Sequence, residues 1–511
     1  MKRKKAWLNA SRFAIIFLSI IAQAVLVWFL FVLLGRKFAF VDISLSVLGV
    51  LLFLYLINKE QSATYKLPWV ILILLAPLGG LVIYYTFGNA RLSKKQMKKF
   101  RHIYDVHHDE YYNQTSVIKN LNDNGGKFSG VAKYVRSTTS LPIYDNSNTE
   151  YLSNGETFFE SLKTEISKAE RYIFLEYFIL EEGELWNELF ALLKNRISCG
   201  VKVYLIYDDV GSISKVPRTF NLELQKYGID ARRFFKFVPV ASVIHNNRDH
   251  RKIAVIDGKV GFMSSANIAD EYVNLKKPFG RWLDNAVKIS GQATDTLVRL
   301  FIQLFNMTSG ENLSEEDFIV KNHDIFNKGF IIPFGDSPSP IDDSHIAETV
   351  YLDIISRSDE YLYITSPYLI VDTNITDALK NAVKMGVDVR IVIPEIPDKK
   401  SIYIMTKATA LNLLSAGVKI YAYRDGFIHS KTFLADGEIA VVGTANLDYR
   451  SLVHHFECAT VMVKTESIND IYADFLNLFE VECERFTEKD LTLKSGEKLL
   501  KSVMSLFAPL M

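Results

Sequence analysis

One pattern of residues occurs twice in this chain. His250-Arg-Lys-Ile-Ala-Val-Ile-Asp257 is followed by Ser264-Ser-Ala-Asn267, and His429-Ser-Lys-Thr-Phe-Leu-Ala-Asp436 by Gly443-Thr-Ala-Asn446. Both read H-x-K-x4-D, with an Asn at the same distance beyond each Asp. The surroundings repeat as well. A β-branched, aromatic stretch, Arg171 to Ile179, precedes a helical pattern, Leu185 to Arg196, and a second strand, Gly200 to Tyr207. Glu360 to Tyr368, Thr376 to Lys384 and Gly386 to Ile393 follow in the same order. Strand, helix, strand with short links predicts α/β units with a mainly parallel sheet, present twice. Pro333 to Pro340, rich in turn formers, separates the halves.

Residues two apart on a strand share a face, so each His and its Lys point the same way. Two facing copies bring two imidazoles and two ammonium groups into one cleft, a constellation suited to an anionic phosphorus centre. A neutral imidazole is a nucleophile near pH 7, and the second can protonate the leaving oxygen and then deprotonate an incoming alcohol. Lys252, Lys431, Asn267 and Asn446 are expected to hold the non-bridging oxygens, with Ser265 and Thr444 as further donors. A Lys two residues from each His is a poor companion for a bound cation, so no metal and no cofactor are expected. Asp257-Gly258 and Asp436-Gly437 read as turns ending the strands, which makes both Asp residues architectural. A carboxylate is needed to fix each imidazole's tautomer, and Asp284 and Glu457 are the candidates.

The paired motifs resemble the phospholipase D superfamily. Within it, Tyr207-Asp-Asp-Val-Gly-Ser212, Leu175-Glu-Tyr-Phe178 and Ser366-Pro-Tyr-Leu369, together with an apolar amino-terminal region, are similar to the bacterial cardiolipin synthase family. The resemblance runs from about Phe38 to the end of the chain. It implies two phospholipase-D-like α/β repeats packed as a pseudo-dimer, behind an α-helical membrane module. It also implies two phosphatidylglycerol molecules as substrates, a phosphatidyl-histidine intermediate, and cardiolipin and glycerol as products. It counts Asp257 and Asp436 with His250, Lys252, His429 and Lys431 in a shared active site. A phospholipase D hydrolase and a non-catalytic membrane scaffold are the alternatives; the intact His and Lys pairs weigh against the scaffold. The chain departs from the family pattern at Ser264, where glycine is usual, and at Val371, where proline is common.

The expected organisation is a membrane module over 1–90, a basic connector over 91–140, a first repeat over 141–325, a second over 326–490 and an amphipathic helix over 491–511. Phe13 to Leu34 and Leu67 to Phe87 are uncharged apolar runs, and Phe38 to Ile57 carries only Asp42. Each is long enough to cross a bilayer. Two spans with a third segment turned back at Pro77 and Gly79-Gly80 gather nearly all the basic flanks on one side, which puts the large domain in the cytoplasm. Leu499, Leu500, Val503, Met504, Phe507 and Leu510 recur at helical spacing and read as an interfacial helix beside the bilayer. Lys and Arg number 59 against 58 Asp and Glu. That balance argues against nucleic acid as a partner, and three cysteines without a C-x-x-C spacing argue against a disulfide framework.

Overall fold

A computed structural model describes most of residues 39–84 and, apart from 237–246 and a few short gaps, residues 114–508. The chain divides into two compact units: Met1–Ser93 with Phe237–Asn247 and Ser502–Met511, and Lys94–Lys236 with Arg248–Lys501.

In the first unit, helices Ala39–Asn58 and Ala63–Leu75 pack through Leu56, Ile73 and Tyr84, with Trp69 edge-on to Tyr84 at 5.4 Å. Gly80 lies against Ile73, where a Cβ would come within 2.6 Å of its Cα. Among the described residues, no helix is long and apolar enough to cross a membrane. Side chains in Ala39–Asn58 are described without a break only from Val47 onward. The expected span Phe13 to Leu34 falls, except for Val25 and Phe29, outside the described residues.

The second unit contains two large sheets. The first half supplies β1 (Ser147–Leu152), β2 (Tyr172–Tyr177), β3 (Lys202–Asp208), β4 (Ile229–Phe234), β5 (Lys252–Ile256), β6 (Val260–Ser264), β7 (Arg281–Leu283) and β8 (Ala286–Gly291). Seven of these form one sheet in the order β1-β8-β6-β5-β2-β3-β4. The second half supplies β9 (Phe330–Asp336), β10 (Tyr361–Thr365), β11 (Leu369–Ile370), β12 (Asp388–Pro394), β13 (Lys419–Tyr423), β14 (Gly426–Ile428), β15 (Thr432–Ala435), β16 (Ile439–Gly443), β17 (Leu447–Asp448), β18 (Glu457–Val463) and β19 (Cys483–Arg485). Its large sheet runs β19-β13-β12-β10-β15-β16-β18-β9. Both sheets are mixed, where a mainly parallel arrangement was expected. Only β2-β3-β4 and β10-β12-β13 are parallel. The physical reason lies in the connections. Helices such as Glu184–Ser198 and Thr373–Lys384 carry the chain back for parallel pairing, whereas a tight turn joins β5 to β6 and β15 to β16 and forces antiparallel pairing.

Those turns are built by Asp257-Gly258 and Asp436-Gly437, whose φ values are 56°, 69°, 53° and 64°. Two successive positive φ values are the requirement of the favoured hairpin turn. Asp257 accepts the backbone N–H groups of Glu170, Arg171 and Tyr172 at 2.7–2.9 Å. Asp436 does the same for Asp359, Glu360 and Tyr361, and also takes Lys127 Nζ at 2.6 Å.

Part of the expected connector is folded. Thr115–Asn124 and Ser129–Thr139 are helices, and Leu121, Phe128, Val131 and Val135 are fully buried in one core with Ile332, Val350, Ile364 and Val461 of the second half. The apolar residues of this segment recur on one helical face, and burying that face outweighs the polar composition around it. The carboxyl-terminal helix Ser495–Phe507 has no fully buried residue and exposes Leu499, Leu500, Val503 and Phe507.

Candidate active site

The two motif strands bring their imidazoles and ammonium groups to buried positions. His250 and His429 are 7% and 8% exposed, Lys252 and Lys431 1% and 2%. Each Lys reaches back along its own strand face. Lys252 Nζ donates to the carbonyl of His250 at 2.5 Å, and Lys431 Nζ donates to that of His429.

The carboxylates are exchanged between the halves. His250 Nδ1 lies 2.9 Å from both oxygens of Glu457, and His429 Nδ1 lies 2.7 Å from Asp284 Oδ1. In sequence Asp284 belongs with His250 and Glu457 with His429. The backbone explains the exchange. β7 runs parallel to β14, and the N–H of His429 donates to the carbonyl of Leu283 at 2.7 Å. The N–H of His250 donates to the carbonyl of Phe456 at 2.9 Å. Each catalytic strand is thereby led into the site alongside the residue just before the opposite carboxylate.

These carboxylates are themselves held. Ser265 Oγ donates to Asp284 Oδ1 at 2.5 Å and Trp282 Nε1 to Asp284 Oδ2 at 2.7 Å. Thr444 Oγ1 donates to Glu457 Oε2 at 2.5 Å. A carboxylate can only accept, so each Nδ1 carries its proton and each Nε2 keeps its lone pair for a substrate. Burial lowers the pKa of both histidines well below the usual value, and the neighbouring lysine charges add to the effect, so both imidazoles are neutral. Burial also brings Lys252 down to about 8 and Lys431 to about 7.

The four uncharged residues expected to contact phosphate oxygens are not equivalent. Ser265 and Thr444 spend their hydroxyl hydrogens on the carboxylates. Asn267 accepts the N–H of Ile179 at 2.9 Å and donates to the Tyr272 hydroxyl at 2.8 Å. Asn446 Oδ1 is buried without a partner. The structure does not bring Asp257 or Asp436 to the histidines. They sit at the far ends of β5 and β15, occupied with backbone amides, because a five- or four-residue strand separates them from the Lys end. Ser264 is accommodated where glycine was expected, its Oγ donating to the carbonyl of Ala266 at 3.2 Å. At the matching Gly443 a Cβ would meet the Ala459 Cβ at 2.5 Å.

Behind His250 lies a buried ionic cluster. Asp208 accepts Arg248 Nε at 2.9 and 3.1 Å and the N–H of Asp249 at 3.1 Å, and burial pushes the Asp249 carboxyl up to about 7. At the places of Arg248 and Asp249 the second half has the buried apolar Phe427 and Ile428, and hydroxyls stand where the first half has Arg251 and Glu176, Ser430 Oγ donating to Thr365 Oγ1 at 3.0 Å. His250, His455 and Glu457 place nitrogen and oxygen donors within 4.8 Å of one another, a set of the kind that binds metals. The Glu457 carboxylate is already engaged by His250 and Thr444, and Lys252 supplies a cation beside it. Sequence reasoning missed His455 and Trp282, which lack any motif of their own; each lies two residues before an orienting carboxylate, the one signal that marks them.

A family model described as "Cardiolipin synthase, PLD-like domain" matches residues 162–306 and 351–479, and "Phospholipase_D-nuclease N-terminal" matches 47–89. The chain is 39% identical to an uncharacterised protein of Streptococcus mutans over 90% of this chain and 99% of that one. It is 31% identical to a cardiolipin synthase of Geobacillus kaustophilus, over 92% and 93% of the two chains. Among solved structures, phosphatidylserine synthase from Haemophilus influenzae Rd KW20 shares the fold, with a TM-score of 0.57 at 13% identity over 74% of this chain and 97% of that one. The fold is that of the phospholipase D superfamily. Within it, this chain belongs to the cardiolipin synthase family.

The exchange of carboxylates predicts a pattern of coupling. Glu457→Gln should lower kcat by about 10²–10⁴-fold, as loss of a tautomer-fixing carboxylate does. Combined with His250→Ala it should add little further loss, since the two act as one unit. A full multiplicative loss in the double variant would separate Glu457 from His250. The lysine values set a pH dependence. As pH rises through about 7 and then about 8 the two ammonium groups lose their protons. The profile of kcat/KM, which reports the free enzyme, should therefore fall on the alkaline side of that window. A profile flat to pH 10 would show that neither charge is needed.

Proposed function

We propose that this phosphatidyltransferase joins two phosphatidylglycerol molecules to give cardiolipin and glycerol. The observation that carries the reading is the pair of neutral imidazoles, each fixed at Nδ1 by a buried carboxylate and each accompanied by a buried lysine. In the first step Nε2 of one histidine attacks phosphorus. The P–O bond to glycerol breaks, and the second imidazole, protonated in the complex, gives its proton to the departing oxygen. A bound phosphodiester anion opposes the lysine charges that lower the histidine values, which favours that protonation. In the second step a glycerol hydroxyl of another phosphatidylglycerol passes its proton to the same imidazole. Its oxygen attacks phosphorus, and the P–N bond breaks. Lys252 and Lys431 are proposed to stabilise the charge on the non-bridging oxygens, with Asn446 as a further contact. His250, Lys252, His429 and Lys431 are the proposed catalytic residues. Asp284 and Glu457 are proposed to orient the histidines, and Asp257 and Asp436 to shape the turns.

Both substrates are lipids, so the reaction belongs at a bilayer surface. We propose a multi-pass anchor in the amino-terminal region, contact of the exposed apolar face of Ser495–Phe507 with the interface, and a cytoplasmic catalytic unit.

Purified enzyme in detergent with labelled phosphatidylglycerol as the sole lipid should yield cardiolipin and free glycerol. Phosphatidic acid as the only lipid product would mean that water, not a lipid alcohol, completes the second step. Cys199 is exposed while Cys458 and Cys483 are buried. A membrane-impermeant maleimide should label Cys199 only in permeabilised cells, and labelling in intact cells would move the catalytic unit to the outer face.

A further inference from the structure

The site is not symmetric around its two histidines. Two residues before each orienting carboxylate stands a ring: Trp282 before Asp284, and His455 before Glu457. The residue between, Leu283 or Phe456, accepts the N–H of the opposite catalytic histidine. Trp282 and His455 thus occupy corresponding places in the two halves.

Their polar atoms are used differently. The Trp282 ring lies 5.3 Å from that of His429, and its only polar hydrogen goes to Asp284. Tyr272 and Phe427 are the other rings beside His429, at 5.7 and 6.0 Å. The His455 ring lies 5.4 Å from that of His250, and among the described residues neither of its nitrogens has a partner within hydrogen-bond distance. Its Nδ1 stands 3.6 Å from Glu457 Oε1, outside hydrogen-bond reach. The side chain is only 10% exposed. Leaving a polar group unmet at such depth is costly, and native interiors seldom do so without a functional reason. The local backbone is unusual too. His455 follows a π turn, Arg450–His454, and its N–H closes onto the carbonyl of Arg450 at 3.0 Å. Such turns are frequent at functional sites.

We propose that His455 is a substrate-binding residue whose ring hydrogen-bonds an oxygen of the phospholipid head group beside His250. This rests on the phospholipid reading above. The oxygen belongs either to the phosphate or to a glycerol hydroxyl. Trp282 offers no such contact beside His429, its N–H being given to Asp284.

The test compares short-chain phosphatidylglycerol with phosphatidylmethanol, which keeps the phosphate and lacks the hydroxyls; each carries a labelled head-group alcohol and is given the same excess of unlabelled glycerol as the alcohol that resolves the phosphatidyl-enzyme. Initial rates of glycerol or methanol release are measured for the full chain in detergent, as wild type, His455→Phe and His455→Gln. His455→Phe should raise KM about tenfold, the loss of about one hydrogen bond, and leave kcat within about twofold. His455→Gln, which restores an N–H and a carbonyl, should recover most of the loss. A raised KM on both lipids assigns the phosphate oxygen; a raised KM on phosphatidylglycerol alone assigns the hydroxyl. Unchanged KM on both lipids, or a fall in kcat that His455→Gln does not rescue, overturns the assignment. Should His455→Phe not fold, His455→Leu carries the same expectation. Glycerol release by the wild type that ends in phosphatidic acid would sink the proposed transfer reaction while leaving the KM comparison valid.

Discussion

Each buried motif imidazole depends on a carboxylate from the other half of the chain. His250 needs Glu457 and His429 needs Asp284. A buried histidine without its acceptor has no fixed tautomer, and a buried carboxylate without its donor is costly to desolvate. Neither repeat therefore completes a half-site alone. The backbone pairing that leads each motif strand past Leu283 or Phe456 sets both dyads at once. Burial of all four cations or potential cations then follows, and with it the neutral imidazoles and the lowered lysine pKa values that the chemistry uses.

The two halves share a plan but differ in what surrounds it. The first half backs its histidine with the ionic cluster of Asp208, Arg248 and Asp249, whereas the second has the apolar Phe427 and Ile428 at the places of Arg248 and Asp249. The flanking rings differ in the same sense, tryptophan on one side and histidine on the other. Two identical half-sites would offer a lipid two equivalent orientations. Unequal ones can separate the roles of the two histidines.

Much of this was legible in the residues. The repeated H-x-K-x4-D pattern implied two α/β units, the shared face of His and Lys, and the turns at Asp257 and Asp436. The sheets were misjudged as mainly parallel, because the alternation of strand and helix is visible in sequence but the antiparallel hairpins after each motif add strands that the pattern does not count. The segment around Phe128 read as a polar connector, yet its apolar face is spent in the core of the second repeat. Ser265 and Thr444 looked like phosphate donors. Their hydroxyls instead hold Asp284 and Glu457, a choice made by a few ångströms of placement.

The sequence by itself determined the chemistry: two imidazoles and two ammonium groups, each His-Lys pair on one strand face because strand geometry has a period of two. It also determined that carboxylates were at hand. Only the tertiary structure decided which carboxylate serves which histidine, that Asp257 and Asp436 stay with the backbone, and that His455 stands where the other half has Trp282. Those outcomes depend on how two sheets pack and on which carbonyl lies opposite which amide. Local propensity does not encode that, because residues more than a hundred positions apart have to meet.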